Sequence, residues 1–343
     1  MNKNIVIAIS TAVLIAAGCA KVVTQGPNDA NKRFMEAWMH IYNKDNNTDI
    51  KPTGLGIYVL EETPGTGEKT VNDNGYAIVE YKITDLYGNI SAYTSAETAR
   101  KLGTYDTTSY YGPRVWLTMD ATIPAGVQDA IVGMKVGGKK KAIIPSWLMS
   151  YASYATEAEY LNQSSDYSNA IYEFTVRDFT DSIDVWQIDS IKRYIINNYG
   201  SITAFTSDTT GFYYRQLEAP VSDEAFSSDT TIYINYIGKL LNGNVFDTNI
   251  EKVAKDNGLF NENRTYEPVS IRWGESYSDI TMGSSNSDVI GGFARTLWQM
   301  KAMEKGIGIF YSPLGYGYSG SEPSIPPYSP LIFEIEIVAE PEE

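Results

Sequence analysis

The sequence predicts an α+β protein made of two similar domains, each built on an antiparallel sheet. Both halves begin with apolar residues at helical spacing, at residues 30–44 and 184–200. Both halves end with an alternating run typical of a half-buried strand, at residues 170–179 and 331–338. A repeat length of about 150 residues is too long for a solenoid unit and indicates a duplicated domain. Because strand patterns outnumber helix patterns, we expect antiparallel sheets with few helices.

The elements between these ends follow the same order in the two halves. After its helix, each half has a corresponding segment, at residues 53–67 and 210–222, and then a strand-like run that ends in Tyr and a turn, at residues 77–89 and 231–244. The helix between the halves is expected to link them or to pack between them. The predicted organisation is a signal segment, a linker with a helix, a first domain, a linker helix and a second domain, at residues 1–18, 19–52, 53–180, 181–204 and 205–343.

The beginning of the chain predicts a targeting signal. Lys3 precedes an apolar run at residues 5–17, which is too short to span a membrane and is typical of a secretory signal. The segment that ends at Gly18-Cys19 resembles a bacterial lipoprotein signal, although Ala16 stands where such signals usually carry Leu. This resemblance implies cleavage before Cys19, a lipid on Cys19, and a place in the cell envelope of a Gram-negative bacterium. An ordinary secretory signal with a chance cysteine is the alternative.

Composition argues against several classes of function. The formal net charge is −15, whereas binding to nucleic acid or to anionic lipid needs clustered Lys and Arg, so a membrane link would have to be covalent. The chain has one His and one Cys, which argues against zinc sites and against Ser/His/Asp or Cys/His catalysis. We therefore expect no metal and no cofactor. His40 lies in the first helical stretch, where a structural or exposed role is expected.

Four motifs occur in the second half in one order. They are NYIGKLLNGNVFDTN at residues 235–249, VIGGF at 289–293, PLGYG at 313–317 and IPPYSPLIFEIE at 325–336. Together they resemble the FKBP-type peptidyl-prolyl isomerases, the macrolide-binding immunophilins. The first half contributes GMKVGGKKKAIIPS at residues 133–146, which is similar to the family's segment between helix and next strand.

The resemblance implies an α+β fold of two FKBP-like domains. In each, an antiparallel sheet would wrap around one short α-helix, and a further helix would precede the domain. In the second domain the enclosed helix is expected at residues 292–300, with Phe293, Leu297 and Met300 facing the sheet.

The resemblance also implies a proline-binding pocket at the mouth of the second sheet. Carried over residue by residue, it gives catalytic roles to Tyr236, Phe246, Asp247, Ile290, Phe293 and Tyr316, and substrate-binding roles to Val289, Ile325 and Phe333. The Ile290 N–H is the expected donor to the ligand's carbonyl, and Phe293 stands where the family usually has Trp. The stiff Ile325-Pro326-Pro327 hook would hold Ile325 over the bound proline at little entropic cost.

A pocket of this kind needs no nucleophile, metal or cofactor. Rotation about a peptide bond has a barrier of about 18–20 kcal/mol, because twisting removes the amide resonance. An apolar pocket strips water from the carbonyl and favours the less polar twisted amide. The shortage of His and Cys therefore does not argue against an enzyme of this type.

The first half departs from the family's pocket pattern. Tyr81 is retained, but GNVFD becomes GNISA at residues 88–92, Val127 stands where an aromatic residue is expected, and Tyr172 replaces the closing Phe. We therefore expect that the first domain does not isomerise proline. The run Lys139–Lys141 is predicted to be a solvated turn.

The second half departs from the family mainly by two insertions. They lie at roughly residues 248–267 and 275–288, and residues 276–288 are predicted to be a mobile loop. The insertions could narrow the pocket or recognise a partner.

Three functions are compatible with these observations. The leading hypothesis is an envelope-anchored prolyl isomerase acting on proline-containing unfolded or secreted proteins, with macrolide-type inhibitors as further ligands. The second is a non-catalytic chaperone or interaction lipoprotein that uses both pockets. The third is a surface glycan-binding lipoprotein, suggested by the 26 Tyr and 6 Trp residues. The ordered set of pocket residues favours the first hypothesis.

Overall fold

The computed structural model describes residues 27–119, 122–149, 159 and 168–342. The predicted signal segment at residues 1–18 and the predicted lipidation site Cys19 lie outside the described residues. The predicted α+β class is confirmed, because there are two antiparallel sheets, each packed around a short helix and preceded by a longer one. No helix within the described ranges is both long and apolar enough to cross a membrane.

Within the described residues, the first domain is a six-stranded antiparallel sheet with helices on both faces. Its elements are α1 (Pro27–Asn46), β1 (Tyr58–Thr63), β2 (Tyr76–Asp85), β3 (Ile90–Tyr93), α2 (Ala96–Leu102), β4 (Arg114–Leu117), α3 (Ala125–Ile131), β5 (Lys139–Ile144) and β6 (Ala170–Thr180). The strand order is β1-β5-β6-β2-β3, and β4 pairs with the beginning of β2.

Burial on both faces explains the apolar runs of this sheet. Ile131 of α3 belongs to the buried cluster on the inner face, together with Ala142 and Ile144 of β5. Ile143 lies in the cluster on the outer face, where Met39 of α1 covers it. A strand that is covered on both sides loses the apolar–polar alternation and becomes a continuous apolar segment.

The prediction of a solvated turn at Lys139–Lys141 was wrong, because these residues begin β5. Strand alternation turns Lys140 inward, and its side chain is only 10% exposed. Its ammonium group donates to the Ala130 carbonyl in the last turn of α3 (2.8 Å) and pairs with Glu62 (3.3 Å). A cation at the C-terminal end of a helix is stabilised by the helix dipole.

Within the described residues, the second domain contains an eight-stranded antiparallel sheet. Its elements are α4 (Ile183–Tyr199), β7 (Phe212–Glu218), β8 (Thr231–Leu240), β9 (Val245–Thr248), α5 (Glu251–Asp256), β10 (Val269–Arg272), β11 (Thr281–Met282), β12 (Ser287–Asp288), α6 (Gly291–Trp298), β13 (Lys305–Phe310) and β14 (Leu331–Val338). The strand order is β12-β11-β10-β8-β14-β13-β7, and β9 pairs with the end of β8.

The helix predicted at residues 292–300 is α6, which lies against the inner face of this sheet. Phe293, Leu297 and Met300, which were expected to face the sheet, are at most 2% exposed. A Cβ atom at Gly292 would lie 2.3 Å from the Phe310 ring on β13. Glycine at this position therefore permits the close approach of helix and sheet.

The helix at the predicted boundary, α4, packs on the outer face of the second sheet. Ile191 and Ile195 form a buried cluster there with Ile307, Ile309 and Ile332. The predicted linker helix is therefore part of the core of the second domain.

The prediction of a mobile loop at residues 276–288 was wrong. The segment begins with a 3₁₀ turn at Tyr277–Asp279 and continues as the hairpin of β11 and β12, and β11 pairs with β10. Ile280 is 2% exposed, so burial of its side chain holds the segment against the sheet. The other insertion, at residues 248–267, contains α5.

A buried carboxylate follows α6. Glu304 is 2% exposed and accepts hydrogen bonds from the Tyr214 hydroxyl on β7 and from the Lys301 N–H (2.9 Å). Burial raises the pKa of the Tyr214 phenol, and the neighbouring Glu304 raises it further. The two donors offset part of the cost of removing the carboxylate from water.

We predict that Tyr214→Phe destabilises the protein by about 2 kcal/mol, because it leaves a buried carboxylate short of a donor. Tyr213→Phe is the matched control, since Tyr213 is adjacent and 8% exposed and its hydroxyl makes no hydrogen bond among the described residues. Urea unfolding of the two variants measures the difference. Equal destabilisation by both substitutions would contradict this account of Glu304.

Candidate active site

The nine side chains predicted to form the pocket come together on the second domain. They come from β8 (Tyr236), β9 (Phe246, Asp247), the residues before α6 (Val289, Ile290), α6 itself (Phe293), the connection between β13 and β14 (Tyr316, Ile325) and β14 (Phe333). Seven of the nine belong to one apolar cluster or pack against it. The other two, Asp247 and Tyr316, supply polar groups.

Phe333 is the centre of the aromatic part of this site. Its ring contacts those of Phe293 (centroids 5.0 Å apart), Phe246 (5.6 Å), Phe310 (5.9 Å) and Tyr236 (6.3 Å). Phe333 and Phe293 are 5% and 2% exposed, whereas Phe246 is half-buried. Phe333 and Phe293 therefore form the floor, and Phe246 lies at the edge.

A glycine on β8 makes room for these rings. Gly238 pairs with Phe333 on one side and with Asp247 on the other. A Cβ atom at Gly238 would lie 2.6 Å from the Phe246 ring and 3.1 Å from the Phe333 ring. Only glycine allows both rings to lie over the strand at this point.

Three polar side chains form a closed set beside the rings. The Tyr236 hydroxyl donates to Asp247 Oδ2 (2.7 Å), and Arg264 donates to Asp247 Oδ1 (2.6 Å) and to the Tyr236 oxygen (3.1 Å). The Arg264 and Asp247 side chains are 40% and 39% exposed, so their ion pair is worth about 1 kcal/mol or less. Its main effect is to fix the orientation of the carboxylate.

The electrostatics of this set keep the Tyr236 phenol protonated. Burial raises the pKa of Tyr236 well above its usual value, and Asp247 raises it further, while Arg264 partly offsets both effects. The hydrogen bond from Tyr236 to Asp247 therefore persists through the neutral and mildly alkaline range.

Arg264 is a residue that the sequence analysis missed. A carboxylate at the edge of an apolar pocket calls for a cation, and the insertion at residues 248–267 offers Lys252, Lys255 and Arg264. The two lysines instead pair with acidic residues of α5 four positions away. The sequence alone gives no means of choosing among the three cations.

The Ile290 N–H stands at the start of α6. Ile290 is the N-cap residue, with an extended backbone (φ −63°, ψ 146°), and its carbonyl accepts from the Ala294 N–H (3.1 Å). Among the described residues, the Ile290 N–H has no backbone partner. The positive end of the helix dipole adds to its strength as a donor.

The connection between β13 and β14 supplies the remaining wall. The Ser321 N–H donates to the Ile325 carbonyl (2.7 Å), and the Ile325 N–H donates to the Ser321 carbonyl (2.9 Å). This pair fixes the start of the Ile-Pro-Pro hook, and Ile325 is 3% exposed. Tyr316 is 38% exposed, and burial together with the nearby Asp247 raises the pKa of its phenol.

A cavity of about 200 Å³ lies beside Phe246 and Asp247. Arg264 lines it on one side, and Pro323 and Ser324 line it on the other. Thr108, from the first domain, lines it as well. No pattern in the sequence predicts this contribution of Thr108, because it depends on how the two domains pack together.

The corresponding place in the first domain is filled. Tyr81 pairs with Phe174 as Tyr236 pairs with Ile335, and Ala92 takes the position of Asp247. The Trp116 indole on β4 stacks on Tyr81 (5.2 Å between centroids) and also contacts Tyr172 and Phe174. One large side chain thus occupies the space in front of the residues that correspond to the second-domain pocket. Sequence reasoning missed Trp116.

In the part of the chain that the structure describes, no group of three or more His, Cys, Asp or Glu side chains is arranged to hold an ion.

Comparison with known families gives one match. Residues 222–338 match the family model described as FKBP-type peptidyl-prolyl cis-trans isomerase. The matched range is about a third of the chain and contains all nine predicted pocket residues.

Two curated proteins are similar to this chain. A probable FKBP-type peptidyl-prolyl cis-trans isomerase of Haemophilus influenzae is 29% identical over 129 residues, which is 38% of this chain and 42% of that protein. The peptidyl-prolyl cis-trans isomerase FKBP11 of Bos taurus is 31% identical over 120 residues, which is 35% of this chain and 46% of that protein. The chain therefore spans less than half the length of these relatives.

Solved structures with FKBP domains are also similar to this chain. FkpA from Escherichia coli is 24% identical, with a TM-score of 0.32, over 46% of this chain and 58% of that one. The three FKBP domains of wheat FKBP73 are 15% identical, with a TM-score of 0.29, over 82% of this chain and 94% of that one. The family model and the curated relatives confirm the resemblance that the sequence motifs predicted.

The residues at the floor and at the edge of the pocket should differ in how much they contribute to stability. Phe333→Ala should destabilise the protein by about 3–5 kcal/mol, because it opens a cavity among buried rings. Phe246→Ala should cost about 1 kcal/mol, because this ring is already half-exposed and loses less burial. Urea unfolding measures both values. A cost for Phe246→Ala as large as that for Phe333→Ala would mean that Phe246 is a core residue and not a pocket wall.

Proposed function

We propose that the second domain is a peptidyl-prolyl cis–trans isomerase that acts on Xaa-Pro bonds of protein chains. The observation that carries this proposal is the coincidence of two findings. The range that matches the isomerase family, residues 222–338, is the range whose nine predicted pocket residues gather around the Phe333 ring.

In this proposal the aromatic floor binds the proline ring. Phe293 and Phe333 offer apolar surface, and Phe246 and Ile325 close around the ring from the edges. Removal of water from the prolyl amide favours the twisted form, which has lost resonance and is less polar than the planar amide. The site lowers the barrier only to the extent that it binds the twisted amide better than the planar one.

Hydrogen-bond donors hold the twisted amide in place. The Ile290 N–H donates to a carbonyl oxygen of the bound segment, at the positive end of α6. The Tyr316 hydroxyl, at the exposed side of the mouth, is a second donor. The Asp247 carboxylate lies beside the substrate carbonyl in a fixed orientation, because Tyr236 and Arg264 hold both of its oxygens. No bond to the protein forms or breaks in this process.

The first domain has a different role in this proposal. Trp116 fills the space in front of Tyr81, and Ala92 replaces the carboxylate. In this proposal the Trp116 ring takes the place of a bound proline ring, and catalysis belongs to the second domain alone.

We further propose that a lipid on Cys19 holds the protein at the cell envelope of a Gram-negative bacterium, where it meets secreted proteins that contain proline. The sequence around Gly18-Cys19 supports this part of the proposal, and the acidic net charge of −15 makes purely electrostatic membrane binding unfavourable. Macrolide-type ligands that mimic a prolyl segment are expected to compete for the same pocket.

The catalytic part is tested by NMR exchange on a short Xaa-Pro peptide, without a coupled protease. The intact protein should accelerate isomerisation of the peptide. This acceleration should be at least tenfold smaller in Phe246→Ala/Asp247→Ala, because the variant loses one wall of the pocket and the oriented carboxylate. Ser91→Ala is the matched control, since β-sheet register places Ser91 where Phe246 lies in the second domain. The control should keep full activity. No acceleration by well-folded intact protein would favour a non-catalytic binding module.

The lipid is tested by expression in a Gram-negative host with a labelled fatty acid. The intact chain should carry the label and sediment with membranes, whereas Cys19→Ala should lose the label, because a lipoprotein signal acts through the cysteine thiol. Unlabelled intact protein that is nevertheless secreted would support an ordinary secretory signal.

A further inference from the structure

A loop of the first domain reaches across to the pocket of the second. We call residues 104–113 the strap. The Thr107 hydroxyl donates to the Gly258 carbonyl (2.8 Å), on the inserted segment at one side of the pocket mouth. The Tyr110 N–H donates to the Pro323 carbonyl (2.8 Å), and Pro323 lines the cavity beside Phe246. The strap is therefore bound to two separate segments of the second domain, and Thr108 lies in the cavity wall between these two contacts.

An ion pair secures the end of the strap. Arg114, the first residue of β4, pairs with Glu322 and lies over the Tyr110 ring, 5.1 Å from its centroid. Tyr110 itself packs against the apolar cluster of the second domain. Between these contacts, Thr108 completes the lining of the cavity beside Phe246.

The strap has internal contacts, and a glycine lies near each of its ends. Asp106 Oδ1 accepts from the Thr108 N–H (2.8 Å), and the Tyr105 and Tyr111 rings stack 5.3 Å apart. Gly103 and Gly112 have φ angles of 70° and 152°, in the region that favours glycine. A compact unit between two permissive residues can move as one body with little internal rearrangement.

The strap closes only one end of the mouth. Val289 and Ile290 are half-buried and Tyr316 is 38% exposed, and none of the three lines the cavity that Thr108 borders. Solvent therefore reaches this part of the pocket away from Thr108. A short peptide can enter from that side and end near Thr108. A long polypeptide has to continue past the proline in both directions, and its path on the Phe246 side crosses the strap.

We propose that the strap is a size filter for the pocket, which admits short proline-containing peptides and excludes continuous protein chains until it swings away. This inference rests on the isomerase function proposed above. It makes the first domain a specificity element for the second, and it makes the Arg114–Glu322 ion pair the latch. Among the described residues, the strap is held to the second domain by two hydrogen bonds, one ion pair and the packing of Tyr110. Movement of the strap away from the pocket therefore does not require unfolding of either domain.

The latch is tested with Arg114→Glu, which sets two carboxylates against each other, and with the swap Arg114→Glu/Glu322→Arg, which restores an ion pair. Arg177→Glu is the matched control, because it makes the same charge change on an exposed pair with Glu80 that lies within the first domain and does not bridge the two domains. Each full-length protein is assayed with a tetrapeptide by NMR exchange and with a protein whose refolding is limited by one prolyl isomerisation.

We expect Arg114→Glu to raise kcat/KM for the protein substrate at least fivefold and to change that for the tetrapeptide less than twofold. The kcat/KM for the protein substrate divided by that for the tetrapeptide should be the same in the swap variant, in Arg177→Glu and in the unaltered protein. Faster hydrogen exchange of the Tyr110 amide in Arg114→Glu alone should accompany the gain.

Two outcomes would overturn the inference in different ways. Tetrapeptide catalysis with the same protein-to-peptide ratio in all variants would remove the filter and leave the isomerase intact. Absence of tetrapeptide catalysis in every protein would remove the isomerase function, and the filter with it.

Discussion

Each domain depends on a closing strand that is paired along both edges and covered on both faces. In the second domain this strand is β14, which pairs with β8 and β13. Its inner side chains, Phe333 among them, meet α6, while Ile332 on the outer side meets α4. The pocket is not separate from the hydrophobic core, because Phe333 forms the pocket floor and also lies in the core. Precise placement of the aromatic walls is therefore a consequence of core packing.

The two domains share the register of the strands beside the closing strand but differ in the side chains that surround it. Tyr81 and Tyr236 occupy equivalent places beside the closing strand. In one domain Trp116 stacks on this tyrosine. In the other, Arg264 orients Asp247 at the edge of a space that stays accessible. A duplicated scaffold can thus keep the same strand register in both copies while the side chains around that register differ.

Hydrophobic periodicity and the order of the motifs were sufficient to predict the architecture. They did not predict contacts between segments that are distant in the sequence. The alternation of residues 331–338 and the spacing of Phe293, Leu297 and Met300 are local signals, and both are present in the fold. The position of Lys140 depends on the end of α3, and that of Arg264 depends on how a long insertion folds back. Ile280 looks like one apolar residue in a polar segment until the sheet edge that buries it is known. The positions of these residues were not predicted for one reason: each depends on a contact with a residue far away in the sequence.

The position of α4 also changes what counts as an independent piece of this protein. The family match begins at residue 222, yet Ile307, Ile309 and Ile332 of the second sheet are covered by a helix that ends at Tyr199. A recombinant fragment cut at residue 205 would present these isoleucines to water and would be prone to aggregate. The autonomous folding unit is therefore the sheet together with the helix before it. A fragment beginning near residue 181 retains that helix, and the strap, on the other domain, is then absent from its pocket.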